Sequence, residues 1–285
     1  MNDAFEPAVP WGCKRPTGLT KALLRLCHAL PGHRRINYRL IKALRAPVRA
    51  GAPAALDVRI GGLRLRLLTR GNYCESTYLF APQFFDVEEL RWIREGLAGG
   101  GVFLDVGANI GLYGLIVGAA RGSAVRVFAV EPDPELRARL SFNAAQNDIA
   151  VQTAPVALSN YEGTGAIAVM HEQRGQNRLA DDPAENGIPV RVTSLPSLCA
   201  ELRVTAIQVL KIDVEGHEHR ILADFFDRAD RSLWPRLIVI EHVHDRDGAI
   251  PMLVGRFGYA LVGRSRRNAL LRSSPARSTA VAELQ

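Results

Sequence analysis

The residues best suited to chemistry begin at Asp105. The stretch VFLDVGANIG, residues 102–111, is an apolar run, a carboxylate and a turn of small residues: Gly107, Ala108, Asn109, Ile110 and Gly111. A strand that ends in such a turn and opens a helix directs backbone N–H groups toward a ligand. A dinucleotide fingerprint needs G-x-G-x-x-G, but Asn109 holds the second glycine's place, and the G-K-[ST] of a P-loop is missing. Twenty residues past Gly111, the run FAVEPD brings Glu131 and Pro132 to the end of a second strand. A carboxylate there can accept hydrogen bonds from both hydroxyls of a ribose. Beside a pyrophosphate, Asp105 would set like charges together. Beside the ammonium and sulfonium of S-adenosylmethionine it is favourable, and the N–H groups of the turn suit that molecule's carboxylate. The expected ligand carries a ribose, lacks phosphate and is cationic at one end.

A second constellation, LKIDVEGHEHRIL at 210–222, sets Asp213, Glu215, His217, Glu218 and His219 within seven residues. Ligands of open parallel sheets sit beyond the carboxyl ends of the strands, so Asp213 belongs in the same crevice as Asp105. Asp213 and Glu215 suit substrate hydroxyls or the sulfonium end, and His217 suits a base near neutral pH. The plainer alternative is helix capping by Asp213 and Glu215, with surface histidines. Glu241 ends a further strand in IVIEHVHD, at the crevice mouth, with His242 and His244 following. The candidate catalytic set is therefore Asp213, Glu215, His217 and Glu241. HEH at 217–219 spaces its histidines i, i+2, which do not converge on a helix, and no metal is assigned.

Strands and helices must alternate to hold these residues. VFLDV, IQVLKIDV and RLIVIEHV are near-continuous apolar runs, as strands buried on both faces require. The pattern predicts strands near 102–106, 125–130, 151–157, 206–213 and 237–241. It predicts helices near 111–120, 134–146, 194–202, 216–226 and 248–257, and a final antiparallel hairpin at 259–264 and 269–272. Residues 99–272 thus read as a doubly wound α/β domain with a mostly parallel sheet. Ahead of it, 54–98 read as a hairpin turning at Gly61-Gly62 and a helix at 86–97, with Asp86 and Glu89 as a capping box. Residues 1–53 scatter six prolines among mostly basic residues and read as an irregular arm with one amphipathic helix at 19–30. Residues 273–285 read as a disordered tail.

The net charge of +7 is uneven: residues 1–50 carry +8, residues 256–285 carry +5 and the body carries −6. Basic ends suit acidic glycans, membrane surfaces or nucleic acid, or are simply solvated. Four cysteines without a C-x-x-C pair argue against a disulfide framework or a zinc cluster. No apolar run reaches the roughly 18 residues of a membrane span. Lys14, Arg15, Lys21 and Arg25 interrupt any secretory signal, so the expected compartment is the cytoplasm.

Taken in order, FLDVGANIG, AVEPDPELRARLSFNAAQN, APVALSN, VRVTSLPSL, LKIDVEGHEHRIL, PRLIVIE and RFGYAL resemble the FkbM family of S-adenosylmethionine-dependent methyltransferases. The resemblance implies a Rossmann-like class I methyltransferase fold, S-adenosyl-L-methionine as methyl donor, and O-methylation of a hydroxyl on a sugar, glycan or polyketide-type product. It matches Asp105, Gly107, Asn109 and Gly111 to the family's first motif and Glu131 to its ribose carboxylate. It also matches Val156 and Ala157 to the adenine side, and Lys211 to Gly216 to the KIDVEG motif. Where many members read T-L-D, this chain has Ser194-Leu195-Pro196, so any role of that Asp is missing. Three rival readings stand beside it: a nucleic-acid methyltransferase using the basic ends, an NAD-dependent oxidoreductase, and a non-catalytic binding module on a methyltransferase scaffold. The first lacks D-P-P-[YFW] after the fourth strand and a Pro-Cys nucleophile. The expected partner is a small-molecule or glycan acceptor, not nucleic acid.

Overall fold

The computed structural model describes residues 5–32, 34–170, 177–180, 187–243 and 248–273. The N-terminal arm is more ordered than its prolines suggest. Helix α1 (Gly18–Ala29) buries Leu24 and Cys27, and α2 (Arg35–Gly51) buries Ile41 and Val48. Pro47 lies inside α2. It removes one backbone hydrogen bond toward the C-terminal end of the helix, and the burial of Ile41 and Val48 outweighs that loss. Both helices join one continuous core with the elements that follow.

Strands β1 (Ala55–Ile60) and β2 (Leu63–Leu68) form the expected hairpin, with Ile60 opposite Leu63 and positive φ at Gly61 and Gly62. Halfway along, Asp57 faces Arg66, both buried. Arg66 donates to the Asp57 carboxylate at 2.7 and 3.0 Å and to the carbonyls of Glu6, Val9 and Pro10 at 2.8–2.9 Å. That guanidinium fastens the first described residues over the hairpin. Helix α3 (Tyr73–Phe80), not foreseen, precedes α4 (Val87–Gly96). The capping box at α4 does not form. Asp86 makes no cap bond and accepts the Tyr113 hydroxyl at 2.7 Å, while Glu89 accepts Asn268 Nδ2 at 2.9 Å and the Ser265 hydroxyl.

From here strand and helix alternate: β3 (Gly101–Val106), α5 (Leu112–Arg121), β4 (Val125–Val130), α6 (Pro134–Ala145) and β5 (Val151–Ala154). Then come β6 (Val156–Leu158), β7 (Gly163–Ala168), β8 (Arg178–Leu179), β9 (Ile188–Thr193) and α7 (Leu195–Glu201). The chain closes with β10 (Val209–Ile212), α8 (Glu218–Arg228), β11 (Leu237–Glu241), α9 (Ala249–Gly255), β12 (Tyr259–Arg264) and β13 (Asn268–Ser273).

Seven strands form one sheet in the order β12-β13-β11-β10-β3-β4-β5. The five from β11 to β5 are parallel, and β13 and β12 are antiparallel. This is the doubly wound, Rossmann-like arrangement with an antiparallel end that the sequence predicts. Alternate residues of β3 explain its double burial: Phe103 packs with α4, α5 and the hairpin, while Val102, Leu104 and Val106 pack with α7, α8 and α9. Winding reverses between β3 and β10, so the carboxyl ends of these strands border the crevice.

One predicted strand divides. Residues 151–157 break at Pro155, leaving β5 on the central sheet and β6 on a second sheet ordered β6-β9-β7-β8. Proline lacks the N–H that a continuing ladder needs. The second sheet is absent from the prediction, because GTGAIA at β7 is too small and glycine-rich to read as a strand. It is held by Ile167, Leu179, Val190 and Val192, which bury one another and Ala157. Most of the predicted tail, 274–285, lies outside the described residues. No helix among the described residues is long and apolar enough to cross a membrane.

Candidate active site

The turn after β3 is shaped by three left-handed positions: Gly107 (φ 74°), Asn109 (φ 56°) and Gly111 (φ 75°). At Gly107 a side chain has no room, since a Cβ would lie 1.8 Å from the Asp213 carbonyl oxygen. The first sequence constellation thus touches the second through backbone. Gly111 is required by packing, because a Cβ there would meet Leu140 of α6 at 2.5 Å.

The expected cradle of open N–H groups is not present. Gly107 and Ala108 both donate to the Val130 carbonyl at 3.0 Å. Asn109 N–H donates to Glu131 Oε2 at 2.8 Å, Ile110 N–H to Asn109 Oδ1 at 2.8 Å, and Gly111 N–H to the Ala108 carbonyl at 2.8 Å. Three of these donors tie β3 to the end of β4 and two close the turn on itself, since a buried N–H must be paired. Asn109 occupies the missing glycine's place by bonding its own loop. Its Oδ1 also accepts from Asn72 Nδ2 at 2.7 Å. Asn72 caps α3 by accepting the Glu75 N–H. In the sequence Asn72 carries only a local capping signal, Asn72 followed three residues later by Glu75, and nothing that points to the turn.

One cavity gathers residues from both constellations. Gly107, Asn109, Glu131 and Pro132 line it beside Val156, Ala157 and Leu158, and Asp213, Glu215 and His217 complete it. The second sheet adds Ile167, Asn177, Arg178 and Leu179, none of them foreseen. Asn177 donates to Asp133 Oδ2 at 2.7 Å, and Asp133 caps α6, so the cavity wall is braced to the end of β4.

Glu131 accepts the N–H groups of Asn109 (2.8 Å) and Asp133 (2.9 Å). Burial pushes its carboxyl up to about 7 against those donors. Remaining lone pairs on each oxygen leave capacity for further donors. Four of the predicted site residues are absent from the cavity lining: Asp105, Ala108, Gly111 and Glu241. Asp105 is fully buried beneath it, with Lys211 Nζ 3.5 Å away, and neither of its oxygens has a hydrogen-bond partner. Lys211 also stands 3.6 Å from Asp213. Burial disfavours the ammonium, yet the two carboxylates prevail and raise its pKa.

The KIDVEG loop is held by an acid outside the candidate set. Glu218 accepts the N–H groups of Val214 at 2.8 Å and Gly216 at 3.0 Å, and burial pushes it up to about 7. Capping by Asp213 or Glu215 is therefore unnecessary. Glu215 sits at φ 56°, and His217 is buried, not at the surface. Glu241, at the end of β11, accepts Arg267 Nη2 at 2.6 Å. Arg267 comes from the RSRR loop between β12 and β13, which carried no site signal. Carboxylate oxygens of Asp213, Glu215 and Glu241 lie within 4.8 Å of one another, close enough to share one bound cation or a polyhydroxylated substrate. His242 turns away to the Ser265 carbonyl, with Nε2 at 3.2 Å, and His244 lies outside the described residues.

Comparison with known proteins points to methyltransferases. The family profile described as "Methyltransferase FkbM domain" matches residues 105–261. The chain is 31% identical over 214 residues to the 31-O-demethyl-FK506 methyltransferase FkbM of Streptomyces tacrolimicus, covering 64% of this chain and 80% of that protein. It is 31% identical over 231 residues to the AMB antimetabolite synthetase AmbE of Pseudomonas aeruginosa, covering 67% of this chain but 10% of that protein. It is 29% identical over 133 residues to the hexuronic acid methyltransferase AglP of Haloferax volcanii, covering 47% of this chain and 53% of that protein. The chain therefore spans most of the first relative, about half of the third and a tenth of the second. The matched profile runs from Asp105 through Glu131 and the KIDVEG loop and so includes Gly107, Asn109, Glu131, Asp213 and Glu215 of the cavity wall, and the chain belongs to the FkbM family of methyltransferases, whose methyl donor is S-adenosylmethionine.

Proposed function

We propose that the chain methylates a hydroxyl oxygen of a sugar, glycan or polyketide-type product. The observation that carries this reading is one cavity shared by Glu131, the apolar strand β6 and the Asp213–Glu215–His217 cluster. Two relatives support the acceptor class: the name of one gives a 31-O-demethyl compound, and the name of the other gives a sugar acid, hexuronic acid.

S-adenosylmethionine, when bound, supplies a methyl carbon carried on a positively charged sulfur. Glu131 would accept the ribose hydroxyls. Pro132, Val156 and Ala157 would flank the adenine, and Gly107 and Asn109 would border the methionine end. Asp105 acts from beneath, through Lys211, by fixing Asp213. Asp213 favours the positive sulfur and, with Glu215, orients the acceptor hydroxyl. The donor would give its methyl carbon to the acceptor oxygen and keep the electron pair of the C–S bond on its sulfur. His217 is the group we assign to take the hydroxyl proton, with Glu215 second. Glu241, neutralised by Arg267, shapes the same corner.

The test is methyl transfer from S-adenosylmethionine to a panel of glycosides, macrolide alcohols and RNA, followed by mass spectrometry of the products. An O-methyl product from a hydroxyl acceptor is expected, lost in folded Glu131→Ala and Asp213→Ala proteins. Methylation confined to RNA, or wild-type turnover by Asp213→Ala, would overturn the reading.

A further inference from the structure

The surface of α1 and α2 differs in kind from the rest of the chain. From Gly18 to Gly51 there are eight Lys or Arg residues and no Asp or Glu. Each helix turns one apolar stripe inward, and each carries a second apolar stripe that faces solvent. On α1 the outward stripe is Leu19, Ala22, Leu26 and Ala29; on α2 it is Ile36, Leu40, Ala43 and Pro47. These positions follow helical spacing, so each set forms a continuous strip. The large side chains are well exposed: Leu19 70%, Ile36 63%, Leu26 and Leu40 47% each. Lys21, Arg25, Arg39 and Lys42 flank the strips, exposed, and among the described residues none of the four has an ion pair.

Each partner chemistry can be weighed against this face. A second copy of the same face would press cations against cations with no acid to answer them. Nucleic acid would satisfy the cations but leave the leucine and isoleucine strips without a role. A surface of anionic lipid satisfies both, because headgroup phosphates meet Lys and Arg while the acyl boundary accepts the apolar strips. Neither helix can span: α1 has 12 residues and α2 has 17. We propose that the α1–α2 hairpin is an interfacial anchor that docks this protein on anionic membrane. The proposal is independent of the acceptor assigned above.

The test is co-sedimentation of the full chain with vesicles of phosphatidylcholine alone and of phosphatidylcholine mixed with phosphatidylglycerol. Binding is expected to the anionic vesicles and to weaken with salt. Arg39→Gln with Lys42→Gln should weaken it roughly 30-fold, and Leu26→Gln with Leu40→Gln by about tenfold or more. Thermal midpoints should hold, because all four side chains are exposed. Equal binding to neutral vesicles, or binding indifferent to the two leucine changes, overturns the proposal. So does salt-sensitive retention on RNA or duplex DNA without vesicle binding, and so does a dimer that the leucine changes dissociate.

Discussion

Glu131 shows how one residue serves two opposed demands. Burial raises its pKa from 4.5 to about 7. Between those values the folded chain holds a proton that the unfolded chain releases. Its contribution to stability is therefore full below about 4.5 and is lost as pH rises through about 7. In urea unfolding across that range, Glu131→Gln should flatten the fall in stability, leaving the similar contribution of Glu218. On the ribose contact proposed for Glu131, ligand affinity runs the other way, because ribose hydroxyls would donate to the carboxylate. Calorimetry should find S-adenosylmethionine binding strengthened as pH rises through 7, and weakened about tenfold or more by Glu131→Gln. At Lys211 the expected effect is on folding. Removing the ammonium strands Asp105, fully buried and without a hydrogen-bond partner. Lys211→Met should cost about 3–5 kcal/mol in chemical unfolding, and adding Asp105→Asn should restore part of it.

At the scale of elements, the turn between β3 and α5 works by contact with the loop after β10. Gly107 and Gly216 are both in left-handed backbone, yet their surroundings differ. A Cβ at Gly107 meets a backbone carbonyl at 1.8 Å, whereas one at Gly216 meets nothing within 4 Å. Gly107→Ala should destabilise by more than about 3 kcal/mol and abolish cofactor binding, and Gly216→Ala should cost about 1–2 kcal/mol of backbone strain alone. Thermal unfolding of the two variants side by side checks this. Equal losses would mean that the interlock of turn and loop contributes nothing.

For the whole molecule, the buried Arg66 joins regions far apart in sequence. It holds the first described residues against the hairpin through Asp57 and the carbonyls of Phe5, Glu6, Val9 and Pro10. Arg66→Met leaves Asp57 buried without its cation, at a cost of about 3–5 kcal/mol. The N-terminal segment should then be cut first in limited proteolysis. If it stays protected, the aromatic contact of Phe5 with Phe142, at 5.3 Å between rings, holds the segment instead.

The sequence by itself determined the central sheet and the identity of the methyl donor. Apolar runs of strand length specify doubly buried strands, and Gly107, Asn109 and Glu131 are local signals whose spacing to strand ends is set by the chain. The resemblance rested on the same residues. What required the tertiary structure was whatever depends on neighbours distant in sequence. Asp105 reads as a ligand group until Lys211, on the adjacent strand, is seen beside it 3.5 Å away. The N–H groups of the turn read as open until the Val130 carbonyl and Glu131 are found to take them. Strands β7 to β9 carry too weak a periodicity to be read locally, and they exist because Ile167, Leu179, Val190 and Val192 bury one another. Helix α2 was legible in Ile41 and Val48 but masked by Pro47. Arg267 reaches Glu241 only because β13 pairs with β11. Local pattern sets which residues are inside and where strands end; packing alone decides which donors, charges and carboxylates are already satisfied by the protein and which are left for a ligand.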